Sequence, residues 1–174
     1  RELADLEMIG VGAMSPLEGF MNRNDLNSVV HDCRLANGVV WPLAVTLSNK
    51  GLDLKAGDFI ALVDDNDQLL GTMDVEELYS YDKLEEAQGT LGTTDDAHPG
   101  MAYLASIDDQ YVAGNIWVLN LPEHDFANDR RLTPRETRVL FKAKGWKTIV
   151  AFQTRNPIHR AHEYLTKCAL EVVD

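Results

Sequence analysis

The chain has 174 residues, of which 45% are hydrophobic and 25% are charged, a balance typical of a globular protein with a hydrophobic core. No apolar run approaches the roughly 20 residues that a membrane span needs, so we expect neither a membrane protein nor an export signal. The formal net charge of −12 disfavours broad binding to nucleic acids or to anionic membranes. Cys33 and Cys168 lie far apart, which argues against a disulfide framework and favours a reducing, cytoplasmic location.

The charge of the chain changes sign near residue 130. Residues 1–129 contain six Lys or Arg against 24 Asp or Glu, a net charge of −18, whereas residues 130–174 contain ten against four, a net charge of +6. We therefore predict two units with different roles, residues 1–130 and residues 131–174. Because the first residue is arginine rather than methionine, we also expect the chain to be a piece of a longer protein.

Short apolar runs separated by turn residues predict that the first unit is mostly β. Three runs are strand candidates: Val39–Leu47, Phe59–Val63 and Ile116–Leu121. An acidic turn at residues 64–67 predicts a hairpin over residues 59–75, because Asp and Asn tolerate a positive φ. Two short helices are expected, at residues 24–31 and 80–88. Many short strands with frequent turns favour a compact barrel or sandwich.

The second unit begins with a clear helix signal. Thr133 is a candidate N-cap, Pro134 occupies the first helical position, and Glu136 completes a capping box. Gly145 is well placed to end this helix. The segment Lys147–Phe152, which reads KTIVAF, then predicts a short buried strand.

A polar turn joins this predicted strand to a second amphipathic helix. Asn156 is the candidate N-cap of that helix, and Pro157 is its candidate first residue. The order helix, strand, turn, helix is typical of the opening of an α/β nucleotide-binding sheet, in which ligands bind at the carboxyl ends of strands.

The polar turn has the chemistry of an anion site. Free N–H groups and the positive dipole end of the helix attract anions, and Arg155 adds a planar cation suited to sulfate or phosphate oxygens. Gln153 and Asn156 add neutral donors, and Thr154 adds a hydroxyl. An arginine before a helix is more often an ordinary surface charge, but here all four residues are consecutive.

Two histidines follow on the predicted helix. His159 and His162 are three residues apart, so both project from one face of the first turn. Such a pair is consistent with phosphate contacts, with half of a metal site or with a solvated face. The absence of a third ligand in the sequence nearby disfavours the metal site.

Several stretches of the chain resemble one family. The segment QTRNPIHRAH, residues 153–162, is similar to the active-site signature of the ATP sulfurylase, or sulfate adenylyltransferase, family. Three further stretches resemble blocks of the same family: DLEMIGVGAMSPLEGFMN, RLANGVVWPLAVTL and LGTTDDAHPGM. Nearly the whole chain is covered by the resemblance.

The resemblance implies an α+β fold in two parts. Residues 1–130 are expected to form a PUA-like β-barrel domain, and residues 131–174 the beginning of a Rossmann-like α/β nucleotidyltransferase domain. The family's second nucleotide-binding motif and its adenine-binding strand have no counterpart in this sequence. We therefore expect a truncated catalytic domain that is incomplete by itself.

The resemblance also implies the reaction and the residues that perform it. ATP and sulfate would give adenylyl sulfate and pyrophosphate, or the reverse, with Mg²⁺ on the nucleotide and no metal bound by this chain. Gln153 and Arg155 match sulfate-binding positions, and Gln153, Thr154, Arg155 and Asn156 match ATP-binding positions. The catalytic positions would be Thr154, Arg155, Asn156, His159 and His162. The full-length enzyme is expected to be a homo-oligomer that binds neither nucleic acid nor membranes.

Two other functions remain open from the sequence. The first unit could be an isolated PUA-like binding module, although its charge of −18 disfavours RNA. The second unit could belong to a different His-x-x-His nucleotidyltransferase that acts on a pantetheine or nicotinate-type substrate.

Overall fold

The computed structural model describes residues 1–125 and 130–174. The chain divides into two compact units, Arg1–Phe126 and Ala127–Asp174. None of the helices in the described ranges is both long enough and apolar enough to span a bilayer.

Within its described residues, 1–125, the first unit combines four helices with six strands. In chain order they are α1 (Glu2–Gly10), β1 (Gly19–Phe20), α2 (Arg23–Asp32), β2 (Leu47–Ser48), β3 (Phe59–Val63), β4 (Leu69–Asp74), β5 (Glu77–Ser80), α3 (Lys83–Leu91), α4 (Pro99–Ser106) and β6 (Gln110–Val118).

Strand β6 is the centre of an antiparallel sheet. It pairs with β1 and β2, and it also pairs with β4 and β5. Strand β3 lies outside β4, its antiparallel partner. The pairing found among the described strands leaves this sheet open, whereas the turn pattern favoured a barrel or sandwich. Because β6 is long, its backbone can pair with two short strands on each edge.

The hairpin predicted over residues 59–75 is confirmed. Strands β3 and β4 pair from Phe59 opposite Asp74 to Val63 opposite Leu69. In the turn, Oδ1 of Asp64 accepts hydrogen bonds from the backbone N–H groups of Asn66 and Gln68 at 2.8 and 2.9 Å. Asp67 has a φ of 60°, the left-handed conformation that Asp tolerates better than most residues.

The strand predicted at Val39–Leu47 is largely wrong. This stretch contributes an isolated bridge between Arg34 and Val40, and β2 begins only at its last residue. Pro42 has no N–H to donate to a ladder, and the indole N–H of Trp41 donates to the carbonyl of Leu43 at 2.7 Å. These local features favour an irregular connection over a strand.

The two predicted helices of the first unit are present, with one shifted start. Helix α2 covers the segment 24–31, and Oδ1 of Asn22 caps it by accepting from the N–H of Asp25 at 2.8 Å. The second helix begins at Lys83 rather than at Ser80, because Asp82 is its N-cap and Ser80 belongs to β5. Helices α1 and α4 are additions to the prediction.

The core of the first unit lies between the sheet and the helices. The largest cluster of buried apolar side chains joins α1, α2 and the sheet and includes Leu6, Val29 and Met73. A second cluster surrounds Tyr79 and Tyr111, whose rings meet edge to face at 5.7 Å. The unit therefore has its own hydrophobic core.

The second unit contains helices α5 (Pro134–Lys144) and α6 (Arg160–Leu170). Helix α5 has the predicted capping box between Thr133 and Glu136, and it ends at Gly145 with a φ of 73°. No side chain of α5 or α6 is buried.

The strand predicted at Lys147–Phe152 is wrong for the described structure. Residues 146–152 have no helical or strand assignment. A strand needs a hydrogen-bonding neighbour, and the described part of the second unit provides no other strand for it. The Rossmann-like sheet of the second unit is therefore absent from the residues described.

Candidate functional site

The candidate site follows a segment that is held at its start by the last residue of the chain. Oδ2 of Asp174 accepts hydrogen bonds from the backbone N–H groups of Lys147 and Thr148 at 2.7 and 2.9 Å. It also accepts one from the Thr148 hydroxyl at 3.1 Å. These hydrogen bonds lower the pKa of the Asp174 carboxyl. The Asp174 carboxylate thus holds the first two residues of the segment 147–152.

The turn that follows is closed by a threonine hydroxyl. Oγ1 of Thr154 accepts a hydrogen bond from the backbone N–H of Asn156 at 3.1 Å and donates to the carbonyl of the same residue at 3.1 Å. Thr154 is partly buried, whereas Gln153, Arg155 and Asn156 are exposed. Thr154 therefore shapes the turn, whereas Gln153, Arg155 and Asn156 face solvent.

Helix α6 begins later than the sequence indicated. Its N-cap is His159 and its first residue is Arg160, so Asn156 is not the N-cap and Pro157 is not the first helical residue. The side chain of His159 accepts from the N–H of Ala161 at 3.3 Å. The hydrogen bond between Asn156 and Thr154 closes a separate turn three residues before the cap, which explains the difference.

The two histidines are brought together, as their spacing predicted. The ring centroids of His159 and His162 are 3.8 Å apart, and the rings are stacked with an interplanar angle of 27°. The backbone N–H of His159 lies 3.5 Å from Nδ1 of His162. The pair therefore forms the cap of helix α6 and occupies the end of the helix that attracts anions.

The turn and the cap carry uncompensated positive charge. Arg155 and Arg160 are exposed, and neither makes an ion pair or a side-chain hydrogen bond within the described residues. Glu163 pairs with Lys167 at 2.6 Å and is thereby directed along the helix. The carboxylate of Glu136 serves the α5 capping box, and these hydrogen bonds lower its pKa. This distribution leaves the guanidinium groups available to an anionic ligand.

One residue of the site was not predicted from the sequence. Phe152 was considered only as the end of a strand, but its ring lies against the ring of His162, with centroids 5.5 Å apart. A large aromatic residue directly before a polar turn was the available signal. Its partner could not be inferred, because ten residues and a helix start separate the two rings.

The described ranges contain no group of three or more His, Cys, Asp or Glu side chains that could hold a metal ion. The segment 153–162 offers N–H donors, two arginines and two imidazoles, and no carboxylate. This donor set suits the oxygens of sulfate or phosphate better than it suits Mg²⁺.

Comparison with known families matches both units. The family model described as a PUA-like domain matches residues 1–121, and the model described as ATP-sulfurylase matches residues 128–174. The second match contains the turn and the histidine pair.

Comparison with curated proteins extends over the whole chain. The sulfate adenylyltransferase of Symbiobacterium thermophilum is 50% identical to it over 177 residues, and that of Synechococcus sp. is 48% identical over 177 residues. The corresponding protein of Chlorobium chlorochromatii is 46% identical over 181 residues. Each alignment includes 100% of this chain but only 44–45% of the relative, so the chain spans less than half the length of these relatives.

A solved structure has the same fold over nearly all of the chain. The structure titled as a hexameric APS kinase from Thiobacillus denitrificans superposes with a TM-score of 0.73 and 29% sequence identity. The superposition covers 98% of this chain and 30% of that protein. Through residues 1–121 the chain belongs to the PUA-like domain family, and over its whole length it is a homologue of the sulfate adenylyltransferases.

Proposed function

We propose that the protein containing this chain is a sulfate adenylyltransferase, and that the turn 153–157 with the start of helix α6 binds its anionic substrates. The observation that carries the proposal is the coincidence, at one helix N-terminus, of a stacked histidine cap and the Arg155 side chain, which has no ion-pair partner among the described residues. Relatives at 45–50% identity over the whole chain are named for this activity.

The proposed roles follow the chemistry of each side chain. Arg155 provides a planar, permanently charged fork for sulfate, and the exposed amide of Gln153 provides a neutral donor beside it. Gln153 to Asn156 line the ATP phosphates. Thr154 fixes the turn through its two hydrogen bonds to Asn156 and so keeps these donors in place. His159 and His162 contact the phosphates as charge moves to the leaving group.

The reaction needs no covalent intermediate with the protein. A sulfate oxygen forms a bond to the α-phosphorus of ATP, the bond from that phosphorus to the bridging α,β-oxygen breaks, and pyrophosphate leaves with the electron pair. The reverse direction forms ATP from adenylyl sulfate and pyrophosphate at the same site. Both reactants are anions, so the residues of this chain contribute positioning and neutralisation of charge. Mg²⁺ would arrive with the nucleotide and neutralise its phosphates.

We propose two further features of the fold, one in each unit. We propose that the sheet of the PUA-like domain belongs to a barrel. We propose also that residues 147–152 become a strand of a Rossmann-like sheet when a neighbouring strand pairs with them. The exposed apolar side chains Ile149, Val150 and Phe152 support the second part, because a strand of a parallel sheet is apolar on both faces. The domain boundary near residue 130 is supported by the separate family matches at 1–121 and 128–174.

Assembly and location are also proposals. A homo-oligomer is supported by the similarity to the APS kinase of Thiobacillus denitrificans, which is described as hexameric. A cytoplasmic location is supported by Cys33 and Cys168, which are both free thiols.

A substrate panel tests the proposed reaction. The full-length gene product that contains this sequence is mixed with ATP, Mg²⁺ and one second substrate, and pyrophosphate release is followed. We expect release with sulfate and not with phosphopantetheine or nicotinate mononucleotide. Release with either of those compounds and not with sulfate would identify a different nucleotidyltransferase.

A further inference from the structure

An aromatic contact joins the segment before the turn to the histidine cap behind it. The rings of Phe152 and His162 are tilted by 59° with their centroids 5.5 Å apart, within the distance range of favourable aromatic pairs. Phe152 is 43% exposed, and His162 is half-buried. The contact therefore spans the turn that carries Gln153, Thr154, Arg155 and Asn156.

The other ring of the cap, that of His159, contacts the ring of His162. His162 is stacked on His159 at 3.8 Å, so three rings follow one another from Phe152 to the N-cap of helix α6. Nδ1 of His159 accepts from the N–H of Ala161, and Nδ1 of His162 faces the N–H of His159. An acceptor at Nδ1 places the proton of a neutral imidazole on Nε2. Both rings can then offer an Nε2–H donor to a ligand.

Hydrogen bonding alone holds His162 only weakly in this orientation. The distance from the His159 nitrogen to Nδ1 of His162 is 3.5 Å, at the outer limit of a hydrogen bond. The terminal torsion of a histidine ring is broad and roughly two-fold, so a free ring would also sample the flipped state, in which Nδ1 exchanges places with Cδ2 and Nε2 with Cε1. Packing against Phe152 adds a steric restraint on rotation of the His162 ring to this weak hydrogen bond.

We propose that Phe152 is a positioning residue that holds the ring of His162, and through it the ring of His159, with Nε2 turned toward the phosphate groups of a bound nucleotide. This inference rests on the proposed function for the identity of the ligand. The orientation of the rings does not depend on that identity.

The experiment uses the full-length gene product and three variants. Phe152→Leu keeps an apolar side chain but removes the ring, and Phe152→Tyr keeps the ring. Phe141→Leu is the matched control, since Phe141 stacks on Trp146 at 5.8 Å in the same unit. Histidine ring resonances are recorded by NMR after selective labelling, and kcat and KM for ATP are measured from pyrophosphate release.

We expect Phe152→Leu to shift the ring resonances of His162 and to lower kcat by about 10- to 100-fold, with a much smaller change in KM for ATP. Phe152→Tyr should retain most of the activity, and Phe141→Leu should leave the His162 resonances unchanged. Unaltered His162 resonances in Phe152→Leu would overturn the proposal, whatever the activity. If the wild type releases no pyrophosphate from ATP and sulfate, the proposed function fails, and the NMR comparison still decides whether Phe152 orients the rings.

Discussion

The hydroxyl of Tyr111 donates a hydrogen bond of 2.7 Å to Oε2 of Glu86, and both side chains are buried in the first unit. Glu86 lies on α3 and Tyr111 on β6, so this contact connects a helix to the central strand of the sheet. Burial is the largest influence on the pKa of Glu86 and raises it, whereas the hydrogen bond from Tyr111 acts in the opposite direction.

Removal of the donor is expected to destabilise the first unit. Tyr111→Phe leaves a buried carboxyl without its partner, and the loss of a hydrogen bond to such a group costs about 1–3 kcal/mol of unfolding free energy. Tyr81→Phe is the matched control, because its hydroxyl makes a longer bond of 3.3 Å at an exposed site. Urea unfolding measures both variants. Equal losses of unfolding free energy in the two variants would show that the hydrogen bond from Tyr111 stabilises the unit no more than the exposed one from Tyr81.

The raised pKa of Glu86 makes the stability of the first unit depend on pH. Above the ordinary value of 4.5 the folded state retains a proton that the unfolded state has released, so the unfolding free energy falls as the pH rises through the folded pKa. Glu86→Gln removes this titration. We expect its stability relative to wild type to improve as the pH is raised from about 4.5 toward neutrality, as measured by urea unfolding at several pH values. A stability difference that does not vary with pH would contradict the assignment.

Local hydrogen exchange should differ between the two units. The amides of β6 are paired on both edges of the strand, whereas the described structure gives residues 149–152 no backbone hydrogen bonds. We expect slow exchange in β6 and fast exchange in residues 149–152 of the 174-residue chain, as measured by mass spectrometry of peptic peptides. Protection of residues 149–152 comparable to that of β6 would mean that the segment is paired in solution.

The histidine pair should affect turnover more than nucleotide affinity. In the full-length gene product, His159→Ala or His162→Ala removes a donor near the developing charge, which typically costs about 100- to 1000-fold in kcat. Tyr164→Phe is the control on the same helix, since Tyr164 is 69% exposed. Kinetics of pyrophosphate release measure the effect. Stoichiometric zinc bound by both histidines would instead identify a metal site.

Elements with strong local signals were predictable from the sequence. Helix α5 has its proline at the first position, its capping box at Thr133 and Glu136, and its left-handed end at Gly145, all as expected. The hairpin β3–β4 has its acidic turn where the sequence placed it. In both cases residues within five positions of one another determine the geometry.

Elements that depend on distant partners were not predictable in the same way. Residues 147–152 have the composition of a strand, but pairing requires a neighbour that local sequence does not specify. Helix α6 starts at Arg160 because a histidine takes the N-cap position, whereas Asn156-Pro157 is the commoner capping pattern. In the site, spacing placed His159 beside His162, while the contact with Phe152 emerged only from the three-dimensional structure.

Two arginine variants test whether the turn after Phe152 binds sulfate through Arg155. Sulfate-dependent pyrophosphate release is measured in the full-length gene product with Arg155→Ala and with Arg160→Ala, both of which remove an exposed cation from the same ten residues. We expect Arg155→Ala to lower kcat/KM for sulfate by about 10- to 100-fold, as for the loss of a hydrogen bond to a charged group, and Arg160→Ala to have a much smaller effect. Equal effects of the two substitutions would contradict the claim.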